Sequence, residues 1–262
     1  MISKSPRPYF ITEKIDNLFL IFNNGFNFCI RFFKELFKPP YEFKEIIRQC
    51  YEVGYKSLFL ITLTGFITGL VFTKQSRPSL SEFGAESWLP SLVAIAIIRA
   101  LAPLVTALIA AGKVGSNIGA ELGSMKVTEQ IDAMEVSAVN PFKFLVVSRV
   151  IATTVMIPLL MCYTGGVAML GAFINVHTNE MTSFTSFFVA AFDKISFLDI
   201  ISSVVKGIVY GFTIGIVGCY KGYNASNGTE GVGRAANSSV VLSMFLIFIE
   251  EILIVQITNS IR

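Results

Sequence analysis

The polar residues best placed for recognition chemistry lie between residues 111 and 134, in a glycine-spaced segment that contains Glu121, Glu129 and Asp132. Carboxylates of this kind can form charge-assisted pairs with Arg or Lys of a partner. The segment follows one long apolar run and precedes another, yet it is too polar to cross a bilayer. We therefore expect it to lie at or beyond the membrane surface, where another protein can bind it.

The remaining residues do not predict an enzyme. The sequence contains no GxxxxGK[ST] phosphate-binding loop, and its one histidine, His177, has no evident acid–base partner. The four cysteines show no CxxC spacing: they are Cys29, Cys50, Cys162 and Cys219. We expect neither catalytic residues nor a metal or cofactor on this chain.

The composition is that of a membrane protein. Hydrophobic residues make up 53% of the chain and charged residues 15%, against about 25% charged in an average soluble domain. The apolar residues form five blocks near the length that a hydrocarbon core of roughly 30 Å requires. The predicted fold is an all-α integral membrane protein with spans at 55–73, 89–112, 144–175, 198–219 and 238–258.

Two amphipathic stretches precede the first span. In residues 9–38 the apolar positions recur at intervals of three and four with basic residues on the flank, which is typical of a helix lying in the membrane interface. Residues 41–53 predict a second, shorter amphipathic helix. The predicted domains are therefore an interfacial region, 1–53, and a membrane domain, 54–262; a soluble N-terminal subdomain is the alternative.

The distribution of Lys and Arg predicts the orientation. Fifteen of these residues lie in 1–56, 113–149 and the segment between the fourth and fifth spans, and four lie on the opposite side. Because basic loops stay in the cytoplasm, the N-terminal region and residues 113–143 are predicted to be cytoplasmic, and the end of the fifth span to lie outside.

A few charged residues fall inside predicted spans. A buried unpaired Arg99 would be unfavourable by about 2.5–3.5 kcal/mol on insertion scales, so it faces either a lipid phosphate in a cavity or an acid on a neighbouring span. Lys206 is expected to extend to the headgroups, and Glu250 or Glu251 is a candidate partner for either cation. The candidate lipid-binding residues are Arg99, Lys206 and Glu250.

The 125–134 segment predicts a short cytoplasmic helix. Thr128 is its predicted N-cap, with Glu129 and Asp132 in the first turn, where carboxylates interact favourably with the helix dipole. Such a helix can insert into a groove on a partner protein. The alternative is a solvated surface helix.

Glycines recur at intervals of four, which lets helix backbones approach closely. The predicted packing positions are Gly115, Gly119, Gly123, Gly207, Gly211 and Gly215.

Residues 111–134, continued by Asn140-Pro-Phe-Lys through Arg149, resemble the motif of the MlaE/YrbE permease family. Further similarity lies in Arg99 with Pro103 and in the stretch from Gly231, and it extends over roughly residues 40–258. Two positions depart from the family pattern. Ala100 stands where a Glu usually follows the intramembrane Arg, and Ser148 stands where Pro is common.

The resemblance implies the permease subunit of an ABC-type transporter that moves phospholipids or related lipids between membranes. It implies a cytoplasmic ATPase that binds the ATP, a second copy of this chain and an MCE-domain protein on the far side. The residues expected to couple to the ATPase are Glu121, Met125, Thr128, Glu129, Gln130 and Asp132.

A secondary transporter or channel is the first competing function, and a non-transporting membrane scaffold is the second. A secondary transporter would usually show an internal repeat with broken helices, and the sequence shows none. The expected location is a bacterial inner membrane, with a plastid inner envelope as the alternative.

Overall fold

The computed structural model describes residues 10–39, 41–226 and 228–262, with side chains from residue 23 onward. The chain divides into two compact units, Met1–Tyr41 and Glu42–Arg262. The first unit contains helix α1, Phe10–Leu36. Pro40, which the sequence predicts to end this helix together with Pro39, lies outside the described residues.

The second unit begins at Glu42, earlier than the predicted domain boundary after residue 53. The reason is the short helix α2, whose Glu45, Gln49 and Val53 form a buried face. This helix packs against the third membrane span, and so belongs to the membrane domain.

The helices of the second unit follow one another with short connections. Among the described residues they are α2 Phe43–Val53, α3 Leu58–Glu82, α4 Leu89–Ala96, α5 Ala102–Ala110, α6 Ser116–Val127, α7 Gln130–Val136, α8 Ser148–Glu180, α9 Phe184–Phe192, α10 Phe197–Tyr223 and α11 Thr229–Ile261.

Five helical segments of the described chain are long and apolar enough to cross a membrane. At 1.5 Å per residue, the 25 residues of α3 extend about 37 Å, more than the roughly 30 Å of a hydrocarbon core. The predicted all-α membrane fold with five spans is confirmed. The segments are Phe43–Glu82, Glu86–Val127, Phe142–Glu180, Phe197–Tyr223 and Thr229–Ile261.

The second span is one long helix interrupted by two π-helical turns, Ile97–Leu101 and Ala111–Gly115. The first turn contains Arg99, whose carbonyl accepts a hydrogen bond from Lys206 Nζ of α10 at 2.8 Å. A backbone carbonyl of the second span thus binds a side chain of the fourth.

Helix α8 is the centre of the bundle, since it packs against both α3 and α10. Small residues allow both contacts. A Cβ atom added to Gly211 of α10 would lie 2.5 Å from the carbonyl oxygen of Thr153 and 2.9 Å from Cα of Thr154. Added Cβ atoms would also meet α8 at Gly207 and Gly215.

A second close contact joins α6 to α11 through Gly119. A Cβ atom there would lie 2.5 Å from Ser239 Oγ and 3.1 Å from the Ala235 carbonyl. The neighbouring glycines are less constrained, because added Cβ atoms would find their nearest neighbours at 3.6 Å for Gly115 and 3.4 Å for Gly123.

We predict that Gly119→Leu destabilises the folded protein by about 1–3 kcal/mol, because the added side chain overlaps the backbone of α11. Thermal unfolding of the purified chain in detergent measures the loss. Gly166→Leu is the matched control, since an added Cβ atom at Gly166 meets nothing within 4 Å. Equal stability of Gly119→Leu and wild type would contradict a packed contact.

Candidate functional site: a coupling helix and an intramembrane polar network

The polar segment at the end of the second span forms two helices that meet at Thr128 and Glu129. The Thr128 hydroxyl donates to the carbonyl of Ser124 at 2.9 Å, so Thr128 ends α6, and the prediction that it caps the following helix is wrong. Glu129 adopts a left-handed conformation, φ 58°, and α7 begins at Gln130. Glu129 therefore lies at the corner between the helices, while Asp132 is in the first turn of α7 as predicted.

Helix α7 is held by one buried side chain and exposes most of the rest. Ile131 is buried, whereas Glu129, Gln130 and Asp132 are exposed and Val136 is 90% exposed. Asp132 pairs with Lys126 of α6 at 2.9 Å, which ties the orientation of α7 to α6. The result is a small surface of acidic and apolar groups with nothing from the described chain over it.

Glu121 does not belong to this surface. It lies on α6 and pairs at 2.9 Å with Nη2 of Arg149, the first-turn arginine of α8. The Arg149 side chain is 1% exposed and that of Glu121 is 41% exposed. Arg149 Nη1 also donates to the Leu145 carbonyl at 2.9 Å. Glu121 thus neutralises a buried cation and joins the second span to the third.

A second set of polar groups lies along one buried face of α10, at intervals of three and four residues. Its members are Asp199, Ser203, Lys206, Tyr210 and Thr213. Because residues at these intervals share one face of a helix, α10 presents a continuous polar stripe to the spans that surround it.

The partner of Arg99 is Asp199. Arg99 Nη2 lies 2.8 Å from Asp199 Oδ2, and the Arg99 side chain is 32% exposed. The alternative that Arg99 pairs with an acid on a neighbouring span is therefore confirmed, although the acid is Asp199 rather than Glu250 or Glu251; contact with a lipid phosphate stays a prediction. Asp199 also accepts from the Ser196 amide as part of the capping box of α10, and from Arg262.

Lys206 is buried and does not extend to the headgroups. Its ammonium donates to Glu251 Oε1 of α11 at 2.6 Å and to the Arg99 carbonyl at 2.8 Å. The Tyr210 hydroxyl donates to the other oxygen of Glu251. The prediction that Glu250 or Glu251 pairs with a basic residue is confirmed for Glu251 and Lys206, and the snorkelling prediction is wrong because the two charges neutralise one another within the bundle.

Glu250 has a different environment. The Thr213 hydroxyl donates to its Oε1 at 2.5 Å, while Oε2 is buried and has no hydrogen-bond partner among the described residues. Thr213 follows Lys206 by about two turns of α10, so Glu250 does not join the Lys206 pair.

An apolar cavity of about 250 Å³ adjoins the network. Ile98 and Ser203, which lie next to the network in sequence, contribute to its lining together with Gly165 and Gly166 of α8. Glycine and alkyl groups make this space suitable for a hydrocarbon chain rather than for a polar solute.

The role of Asp199 was the main omission of the sequence reasoning. Ser196-Phe-Leu-Asp199 has the spacing of a helix capping box. Capping of α10 therefore already accounts for the Asp199 carboxylate, and the spacing gives no reason to look for a cation that pairs with it. The available signal was the polar stripe of α10, because an acid on the same face as Lys206 must be buried with it.

These features define an α-helical, multi-pass membrane protein that carries an exposed polar helix at one end and a charged network within the bundle. The chain belongs to the MlaE permease family: the family model for Permease MlaE matches residues 46–257. This confirms the resemblance seen in the sequence and makes the chain an ABC transporter permease, a class of subunit that acts with a partner ATPase.

The relatives agree with this assignment. A probable ABC transporter permease protein of Rickettsia typhi is 37% identical over 85% of this chain and 86% of its own length. One of Synechocystis sp. is 33% identical over 79% of each chain. The protein TRIGALACTOSYLDIACYLGLYCEROL 1, chloroplastic, of Arabidopsis thaliana is 31% identical over 82% of this chain and 62% of that protein.

We predict that Glu121→Gln destabilises the fold by about 3–5 kcal/mol, since it removes the carboxylate that is paired with the buried Arg149 guanidinium and leaves only the longer-range interaction with Glu45. Thermal unfolding in detergent measures the effect. Glu135→Gln removes an equal charge from the exposed face of α7 and should leave stability unchanged. Adding Arg149→Met to Glu121→Gln should restore much of the loss, and no recovery in the double variant would contradict charge imbalance as the cause.

Proposed function

We propose that this permease subunit moves phospholipids or closely related lipids between membranes, driven by ATP that its partner subunit hydrolyses. The observation that carries the proposal is a partly exposed arginine, Arg99, whose chain neighbour Ile98 lines an apolar cavity inside the membrane bundle. A phospholipid requires both environments, one for its phosphate and one for its acyl chains.

Arg99 is suited to the phosphate even though it is paired. Asp199 accepts a hydrogen bond from Arg99 Nη2, and no described residue accepts one from Arg99 Nη1. The side chain is also one of the more accessible parts of the network, at 32% exposure. A guanidinium can bind a carboxylate and a phosphate oxygen together, because its five N–H groups point in fixed directions. Lys206 supports Arg99 through its hydrogen bond to the Arg99 carbonyl, whereas Glu250 is bound by Thr213 further along the polar stripe, and its contact with lipid stays a prediction.

The name of the Arabidopsis relative supports a lipid cargo, since it is that of a galactolipid. The same relative is chloroplastic, which keeps a plastid envelope beside a bacterial inner membrane as a location for proteins of this kind. For this chain we favour the bacterial inner membrane, with the N-terminal region in the cytoplasm, on the basis of its Lys and Arg distribution.

The proposed assembly contains two copies of this chain, a cytoplasmic ATPase and an MCE-domain protein on the far side. The apolar outer face of α11 favours a helix partner: Phe245, Phe248 and Ile252 are exposed on it. At the other end, α7 offers the docking surface for the ATPase. Movement of α7 would reach the bundle through α6, with which it shares the Lys126–Asp132 pair.

We predict that Glu129→Lys weakens binding of the ATPase while the permease still inserts and folds. The variant reverses a charge at the exposed corner before α7, where a basic groove of the partner would bind. Co-purification of the ATPase and lipid-stimulated ATP hydrolysis are the measurements. Glu82→Lys makes the same change at the exposed end of α3 and serves as control. Normal assembly and hydrolysis in Glu129→Lys would exclude this docking surface.

We also predict that Arg99→Ala reduces photo-crosslinking of a phospholipid probe to the intact transporter by about tenfold, the effect of losing one charge-assisted contact. Asp199→Asn should increase crosslinking, because it removes the competing carboxylate. If the Arg99–Asp199 pair is purely structural, the result differs. Both single variants lose stability, the double variant recovers it, and crosslinking to folded protein stays constant.

A further inference from the structure

A second cavity lies at the other end of the bundle, between α2 and α6, and it is far more polar than the first. Its volume is about 350 Å³, within the range of about 300–1,000 Å³ that is typical of small-ligand sites. It does not use the residues of the intramembrane network. The lining residues that matter for its chemistry are Arg48, Lys56, Ser57, Lys113, Asn117 and Glu121.

Most charges around this cavity neutralise one another. Arg48 is bound in two-pronged fashion by Glu45, with contacts of 2.7 and 2.8 Å. Lys56 pairs with Glu52 at 2.6 Å. Glu121 pairs with Arg149 at 2.9 Å, and Arg149 itself does not line the cavity.

Lys113 is different. Its ammonium donates to the backbone carbonyl of Lys56, and it forms no ion pair with the residues that the structure describes. It lies in the second π-helical turn of the span, and its side chain is exposed. The cavity therefore has one uncompensated positive charge at its wall.

Ser57 supplies an independent observation. The residue is 1% exposed, and its hydroxyl is buried without a hydrogen-bond partner among the described residues. Buried hydroxyls are normally satisfied. An unsatisfied donor in the wall of a polar cavity, close to an uncompensated ammonium, is the arrangement expected where a ligand oxygen completes the hydrogen bonds.

We propose that the cavity between α2 and α6 binds a phosphate group, with Lys113 as its counter-charge and Ser57 and Asn117 as hydrogen-bond donors. A phosphate fits better than a carboxylate-bearing or neutral ligand, because it has enough oxygens to engage an ammonium, a hydroxyl and an amide from different directions. The site does not depend on the proposed lipid pathway, since it shares no residue with the Arg99 network.

The phosphate can come from a lipid headgroup or from a soluble phosphate ester, and titration can separate the two. The test follows thermal unfolding of the full purified chain in a phosphate-free, non-ionic detergent. The three probes are inorganic phosphate, glycerol 3-phosphate and short-chain phosphatidylglycerol. A ligand that binds only the folded state raises its stability by RT ln(1 + [L]/Kd), where [L] is the free ligand concentration, so each titration yields an apparent Kd.

We expect at least one probe to stabilise the wild type, and Lys113→Gln to weaken its apparent Kd by about tenfold, the effect of one charge-assisted bond. Lys44→Gln is the matched control, because it removes the same charge from an exposed position on α2 that does not line the cavity. Stabilisation by phosphatidylglycerol alone identifies a membrane lipid as the source. Stabilisation by glycerol 3-phosphate or inorganic phosphate identifies a soluble compound.

Ser57→Ala keeps the test decisive if Lys113→Gln does not fold. It removes an unsatisfied buried hydroxyl, so it should preserve stability without ligand and still weaken the apparent Kd. Arg99→Ala should leave the Kd of inorganic phosphate and glycerol 3-phosphate unchanged. A phosphatidylglycerol effect that is lost in Arg99→Ala but kept in Lys113→Gln belongs to the lipid pathway and does not support this site. The proposal is overturned if no probe stabilises the wild type, or if Lys113→Gln and Ser57→Ala both bind as tightly as Lys44→Gln.

Discussion

The ammonium of Lys206 connects three membrane spans, and the end of the bundle that contains Arg99 and Asp199 depends on it. It donates to the Arg99 carbonyl of the second span and to Glu251 of the fifth, while its own helix is the fourth. A charge buried in apolar surroundings is tolerated only when it is paired and hydrogen-bonded, so these spans must meet in one arrangement for Lys206 to be buried at all.

The opposite end of the bundle obeys the same constraint with different residues. Arg149 is buried at the start of α8 and is neutralised by Glu121 of α6. Each end therefore has a cation that links the second span to a neighbour. Between the two ends, glycines of α10 bring its backbone against α8. Electrostatic pairing defines which spans are neighbours, and the small residues let them approach closely.

Sequence reasoning succeeded where a property depends on one segment alone. The length of each apolar run predicts a span whatever its neighbours are. The polarity of residues 111–134 predicts an exposed segment, which is confirmed only for its end, where α7 begins, because α6 packs against α10 and α11. Sequence reasoning failed at Thr128, where two local rules compete. The Thr128 hydroxyl can cap the next helix or donate to the carbonyl four residues earlier, and the structure shows the second arrangement.

The sequence by itself determined that five helices long and apolar enough to span a membrane exist, and that Arg99 within an apolar span needs an anionic partner. Only the tertiary structure decided which acid meets which cation. Arg99 and Asp199 are a hundred residues apart, and Glu121 turned out to neutralise Arg149 rather than to belong to the surface of α7. Such pairings depend on the rotation and order of packed helices, which no single segment encodes.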